Sequence, residues 1–213
     1  MDDPLRLAEL IAARIFHDIG SLAGTIELAL EEAGAAGESL TSAADLAAEL
    51  SRRVRLLRAA WGPTTEELDI ARLQDLALGT PGAHRMRLDL SGLPRESLFS
   101  PELSRVLVNV IILGAEALPR GGTLTFSPTN EARVRASIRG TRAAWPAALA
   151  PSLVSEAAAL AALDNPRTVL GPLVALIAHR LGIPLVLERG THPSGRRGPP
   201  ALLIGSPAAM PAT

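Results

Sequence analysis

One histidine near the amino terminus, His17, is the residue whose type and surroundings best fit a chemical role. Its imidazole is largely neutral near pH 7 and can then act as a nucleophile. At about 100° per residue, a helix through this segment turns His17 away from a line of apolar side chains. The residues beside it on its own face are all small: Ala13, Gly20, Ser21 and Gly24.

The two glycines on this face are costly inside a helix. Each costs roughly 1 kcal/mol relative to alanine, so a reason for their presence is needed. One reason is that another surface must approach His17 closely. The alternative is a solvent-exposed histidine without a chemical role, beside glycines that merely weaken the helix. The helical pattern alone leaves both interpretations open.

A helical hairpin is predicted to carry His17. Residues 4–34 predict a first helix, and residues 39–61 predict a second one that ends at Gly62 and Pro63. Apolar residues of the second helix recur at alternating spacings of three and four, as in the seam of a helical bundle. Two helices alone cannot bury such seams. We therefore expect a homodimer with a four-helix bundle, or packing of the hairpin against the rest of the chain.

Arginines cluster in the second helix. If the turn centres near Ala36, Arg55 lies level with His17, and its basic neighbours are Arg52, Arg53 and Arg58. This cluster either flanks the histidine or only interacts favourably with the carboxyl-terminal end of the helix dipole.

The remaining residues change to a mixed pattern of helices and strands. Helices are predicted at 66–78 (with an extended start), 101–118 (with Ser100 as the N-cap), 168–181 and in part of 145–163. Strands are predicted at 85–90, 123–127, 133–138, 185–187 and 201–204, before a loose tail from Ser206. The order predicts an α+β fold: a helical hairpin (1–62) followed by an α/β sandwich with mostly antiparallel strands (63–213).

Composition limits the classes of partner. The 213 residues carry a net charge of −1 and contain no cysteine, which excludes disulfides and thiolate metal sites. No apolar run approaches the ~18 residues of a membrane span, and the start lacks the basic region of a secretory signal. The other histidines, His84, His179 and His192, show no metal-ligand spacing. We expect a cytoplasmic protein with no nucleic-acid and no membrane partner.

The run from His17 to Ser21, HDIGS, resembles the phosphoacceptor helix of histidine kinases, which is also followed by a helical partner. Residues 109–122 resemble the asparagine-containing helix of the kinase ATP-binding domain and the turn after it. Nearly end to end, the chain resembles the bacterial ChpT-type histidine phosphotransferases. These keep the two-domain layout of a kinase but do not bind ATP.

The chain departs from the kinase pattern at three nucleotide-contacting elements. Leu113 stands where a second asparagine would help to hold Mg²⁺, which requires oxygen ligands. Residues 139–142 contain no carboxylate to read adenine, and only Gly171 and Pro172 remain of the phosphate lid. The resemblance therefore predicts no ATP binding and no autophosphorylation. Leu22, where many relatives have proline, predicts a less bent helix after His17.

The resemblance implies that His17 carries a phosphoryl group between aspartates of receiver domains. The donor would be the receiver domain of a hybrid histidine kinase, and the acceptors would be response regulators. Asp18 would act as a base or orient the ring. No cofactor of its own is expected, since the receiver would bring Mg²⁺.

The residues expected to contact a receiver are Arg14, Gly20, Ser21, Gly24, Arg52 and Arg55. Two alternatives remain open from the sequence. One is a divergent ATP-dependent histidine kinase, and the other is a non-catalytic dimeric adaptor of response regulators.

Overall fold

The computed structural model describes most of the chain, namely residues 3–33, 39–63, 66–130, 133–188 and 198–205. Three sequence predictions lie outside these ranges: the turn near Ala36, the loop that contains His192, and the tail from Ser206.

Two long helices, α1 (Asp3–Ala33) and α2 (Ser39–Trp61), form the amino-terminal hairpin. They pack against each other, as the sequence predicts. The amide of Gly62 donates a hydrogen bond to the carbonyl oxygen of Arg58 (2.9 Å). Pro63 has no amide hydrogen with which to continue the helix, so α2 ends at the predicted position.

The rest of the chain is a mixed unit of helices around one main sheet. Its elements are β1 (Leu68–Asp69), α3 (Ile70–Ala77), a 3₁₀ turn (Ala83–Arg85), β2 (Met86–Asp89), β3 (Leu98–Phe99), α4 (Pro101–Ala117), β4 (Gly122–Pro128), β5 (Val134–Arg139), α5 (Leu149–Ser152), α6 (Glu156–Ala161), α7 (Leu170–Arg180), β6 (Leu185–Glu188) and β7 (Ala201–Ile204). The five-stranded sheet has the order β2-β4-β5-β7-β6. Among the described strands of this sheet, β2 and β4 pair in parallel and the other neighbours pair antiparallel. The predicted α+β class, with mostly antiparallel strands, is confirmed.

Capping side chains set two of the helix starts. The hydroxyl oxygen of Ser100 accepts a hydrogen bond from the amide of Leu103, which confirms the predicted N-cap of α4. Asp69 caps α3 in the same way, so this helix begins at Ile70, after the extended start that the sequence predicts. The two residues before it are extended, because they pair with β3. The strand β3 was not predicted, since two residues carry no readable alternation.

One hydrophobic core connects the hairpin to the mixed unit. The middle of α4 is buried almost completely, from Val106 to Leu113. Leu56 and Ala60 of α2 belong to the same buried cluster, and Ile11 of α1 packs against it. Side chains from both sides of residue 62 therefore share one core. The division of the chain into two domains at that residue stays a prediction. Within the described ranges, no helix is long and apolar enough to span a membrane.

Candidate functional site

His17 projects from α1 into solvent, with 80% of its side chain exposed. Its Nδ1 lies 3.2 Å from Oδ1 of Asp18, the next residue. An ionised carboxylate only accepts hydrogen bonds, so this contact places the ring hydrogen of neutral His17 on Nδ1. The lone pair is then on Nε2. The pair therefore presents a nucleophilic nitrogen with a defined orientation.

A chain of charged side chains holds Asp18 in place. Arg14, one turn earlier on α1, donates from Nε to Oδ2 of Asp18 at 2.9 Å. The same guanidinium lies 2.8 Å from Oε1 of Glu116 through its Nη2 atom. The side chains of Arg14, Asp18 and Glu116 are only 14%, 13% and 26% exposed. The network therefore runs from His17 through α1 to the end of α4, and it fixes the carboxylate that orients the ring.

Burial and charge act in opposite directions on this network. Burial opposes the charge of Arg14, but hydrogen bonds and attraction from Asp18 and Glu116 raise its pKa above the ordinary value. For Glu116 burial is the stronger effect and raises the pKa, against the pull of Arg14. Glu116 therefore takes up a proton at a higher pH than an ordinary glutamate.

The segment before α7 closes one side of the site. Arg6 donates to the carbonyl oxygen of Asp164 at 2.7 Å, and Arg14 donates to that of Pro166 at 3.5 Å. An open cavity of about 760 Å³ lies between this segment and α1. Its lining residues are Ala13, Arg14, His17, Asp18, Glu116, Asn165, Pro166 and Arg167. The cavity therefore places the charged side chains of Glu116 and Arg167 in one space with His17.

The small residues on the face of His17 leave space open. A Cβ atom added to Gly20 or Gly24 would meet no atom within 4 Å. Ser21 is exposed, and its carbonyl oxygen accepts a hydrogen bond from the hydroxyl of Thr25 (2.9 Å). No contact within the described part of the chain requires glycine at either position. The clearance is therefore available to a second molecule.

The arginines of α2 do not gather around His17. Arg55 lines a separate groove with Arg58, Glu66 and Arg72, and is absent from the cavity of His17. Successive residues on a helix point about 100° apart, so residues level with His17 need not face it.

Arg53 of α2 is attracted by the charge of Asp18. Burial lowers the pKa of Arg53, and its Nε donates to the carbonyl oxygen of Gly79. Arg52 is half-buried, and its own carbonyl oxygen lies against Gly79. Receiver contacts of Arg52 and Arg55 stay predictions.

Two parts of the site were missed in the sequence. Glu116 is the charged residue that follows the apolar run from Val110 to Ala115 in α4, and this position was the available signal. The segment 165–167 lies about 150 positions from His17 in the chain, and no local pattern indicates that they meet.

The asparagine helix has a structural role here. Asn109 is 1% exposed, and its Oδ1 accepts a hydrogen bond from Nε1 of Trp61 at 2.8 Å. Its Nδ2 donates to the carbonyl oxygens of Ala60 and Arg105 at 3.2 and 2.9 Å. Leu113 is fully buried. The amide of Asn109 is therefore occupied in holding α2 against α4. The described residues contain no group of three or more histidines and carboxylates arranged to hold a metal ion.

The chain is similar to known phosphotransfer proteins. A family model described as the histidine phosphotransferase C-terminal domain matches residues 71–192, more than half of the chain. A bacterial phosphotransferase solved at 1.7 Å shares the fold, with a TM-score of 0.64 and 20% identity over 94% of this chain and 95% of that chain.

The histidine kinase domain of a blue-light activated histidine kinase, EL346 of Erythrobacter litoralis, is a more distant match. It has a TM-score of 0.36 and 16% identity, over 95% of this chain and 90% of that one. No curated protein matches the sequence.

Proposed function

The chain belongs to the histidine phosphotransferase family, and from this premise we propose that it carries a phosphoryl group on His17 in a two-component phosphorelay. The group would come from an aspartyl phosphate on one receiver domain, including that of a hybrid histidine kinase. It would leave to the aspartate of another receiver domain in a response regulator.

The observation that carries this proposal is the geometry of His17 and Asp18. An 80% exposed imidazole has its Nδ1 hydrogen-bonded to a carboxylate that is itself held by Arg14. Its Nε2 is then the nucleophile, and the open space over Gly20 and Gly24 gives a receiver room to approach it. These features support a phosphoacceptor role over that of a solvent-exposed residue without a function.

The transfer is a substitution at phosphorus. The Nε2 lone pair of His17 forms an N–P bond while the O–P bond of the aspartyl phosphate breaks. The receiver's aspartate leaves as a carboxylate, and the Nδ1 hydrogen stays on the ring, bonded to Asp18. Mg²⁺ in the receiver's acidic pocket would neutralise charge on the phosphoryl oxygens, so this chain would need no cofactor of its own.

We further propose that the chain does not phosphorylate itself from ATP. The amide of Asn109 is occupied by Trp61 and Ala60 of α2 and by the carbonyl oxygen of Arg105, and Leu113 is buried and offers no oxygen ligand. Residues 139–142 carry no carboxylate. Incubation with labelled ATP and no receiver is expected to leave the protein unlabelled. Autophosphorylation on His17 would favour the divergent kinase instead.

Dimerisation through the hairpin is also part of the proposal. Leu5, Phe16 and Leu30 are 56%, 75% and 49% exposed. On α1 they fall within about 40° of one another, roughly 100–140° away from His17. A second hairpin packed on this stripe would bury apolar surface and leave both histidines accessible. Sedimentation is expected to give a dimer at micromolar concentration, and a monomer there would contradict this part.

Phosphotransfer from a panel of labelled receiver domains tests the function. Label is expected to pass to wild type and not to His17→Ala. Uptake by His17→Ala would refute the assignment of the acceptor. A cytoplasmic location belongs to the same proposal, because a cysteine-free chain suits a reducing compartment.

A further inference from the structure

The cavity beside His17 has two cationic side chains in its wall, Arg14 and Arg167. Arg14 is bonded to both Asp18 and Glu116, at 2.9 and 2.8 Å. A cation shared by two carboxylates has little remaining attraction for a phosphoryl group. Without Arg167 this wall carries more negative than positive charge, and it would repel the incoming dianion.

Arg167 is different from Arg14 in its partners. Its side chain is exposed, and it forms no ion pair with any carboxylate in the part of the chain that the structure describes. An arginine guanidinium is always charged and presents several donors in one plane, which suits phosphoryl oxygens. Arg167 is therefore the cavity cation that is available to a ligand.

The backbone beneath Arg167 is fixed by the acceptor helix itself. Arg6 and Arg14 of α1 bond the carbonyl oxygens of Asp164 and Pro166. The amide of Arg167 donates to Oδ1 of Asn165 at 3.0 Å. The backbone that carries Arg167 is thus tied to the helix that carries His17, which keeps this arginine in the wall of the cavity.

We propose that Arg167 is a catalytic residue of the transfer, whose guanidinium binds the non-bridging phosphoryl oxygens while His17 forms its N–P bond. This rests on the proposed function of His17. The mixed unit then contributes the Arg167 guanidinium to the reaction and also supports the hairpin. Arg14 does not fill this role because it is paired with Asp18 and Glu116, and the described residues that line the cavity include no arginine of α2.

The test measures phosphotransfer from one phosphorylated receiver over a range of receiver concentrations. Arg167→Ala is expected to lower the saturating rate roughly tenfold to a hundredfold, with little change in the half-saturating concentration. Arg167→Lys keeps the charge and is expected to lie between Arg167→Ala and wild type. Arg95→Ala is the matched control, because Arg95 is exposed and does not line the cavity. It is expected to transfer at the wild-type rate.

The outcomes separate the two claims. If the saturating rate of Arg167→Ala stays within about threefold of wild type, the role of Arg167 is refuted. The catalytic role is also refuted if the saturating rate is unchanged and the half-saturating concentration rises. In that case Arg167 contributes to binding of the receiver and not to the transfer step. In either case label still reaches His17, and the proposed function stands. If His17→Ala takes up label, the proposed function itself fails. Unchanged melting of Arg167→Ala verifies that the fold is intact.

Discussion

Replacing Asp18 with asparagine tests how the network orients His17. The side chain keeps its shape, but one carboxylate oxygen becomes an amide nitrogen. In the native protein one oxygen accepts from Nε of Arg14 at 2.9 Å and the other faces Nδ1 of His17 at 3.2 Å. Asparagine cannot satisfy both, since Arg14 and the protonated Nδ1 are both donors.

The remaining oxygen is expected to turn toward Arg14. That contact is the shorter one, and Arg14 is only 14% exposed whereas His17 is 80% exposed. The amide nitrogen of the Asp18→Asn variant then donates to Nδ1 of His17. This moves the ring hydrogen to Nε2 and removes the nucleophilic lone pair. One hydrogen bond at so exposed a site is worth about 1 kcal/mol, which corresponds to a roughly fivefold slower transfer.

Asp18→Ala provides the critical comparison. It removes the orienting oxygen but introduces no donor, so the ring keeps access to both tautomers. We expect transfer rates in the order wild type, Asp18→Ala, Asp18→Asn. Stability should follow a different order, with Asp18→Ala lowest because Arg14 loses a partner entirely.

Single-turnover label transfer from a saturating phosphorylated receiver measures the rates, and urea unfolding measures the stabilities. Asp45→Asn is the matched control, because Asp45 is an exposed aspartate on α2 outside the cavity. It is expected to behave as wild type. The reasoning is refuted if Asp18→Asn transfers at the wild-type rate or faster than Asp18→Ala.

Three further predictions concern stability. The first concerns the difference in unfolding free energy between wild type and Glu116→Gln. This difference (wild type minus variant) should fall as the pH rises above 4.5, the ordinary pKa of glutamate, and should level off above the raised pKa of Glu116. The folded state binds a proton more readily than the unfolded state in that window, and a difference that grows with pH in urea titrations would contradict this sign. Asn109→Ala should cost about 2–3 kcal/mol, because Nε1 of Trp61 loses its acceptor and a void opens. Thermal melts check this, and a loss below about 1 kcal/mol would show that solvent replaces the bond. Gly122→Ala should cost about 2 kcal/mol or more, since φ is 150° and a Cβ would strike a carbonyl oxygen of β5. Gly182→Ala, at φ 63° with open space around it, should cost only about 1 kcal/mol in the same melts; equal losses would mean that the close contact is unimportant.

Local features of the chain were predictable from the sequence. Both ends of α2 follow from its periodic apolar residues and from Gly62 and Pro63. The start of α4 follows from Ser100, whose hydroxyl caps the helix. These elements depend on contacts within a few residues, which pattern and capping rules describe well.

The surroundings of His17 depend on contacts between distant residues. Glu116 is about 100 positions from Arg14, and no periodicity indicates their ion pair. The level of Arg55 along α2 could be estimated, but the direction in which its side chain points depends on the rotation of the helix. The helical wheel predicts that His17 points away from the apolar face of α1, and its side chain is 80% exposed. Its charged partners required the tertiary structure.

The most direct measurement of the central claim is a complete relay with three purified components. A phosphorylated donor receiver, this protein and an unphosphorylated acceptor receiver are mixed with Mg²⁺, and labelled phosphate is followed on each over time. We predict that label passes through the protein as acid-labile phosphohistidine before it reaches the acceptor. Transfer should stop when His17→Ala replaces wild type. Equally fast labelling of the acceptor with His17→Ala, or with no phosphotransferase present, would contradict the account.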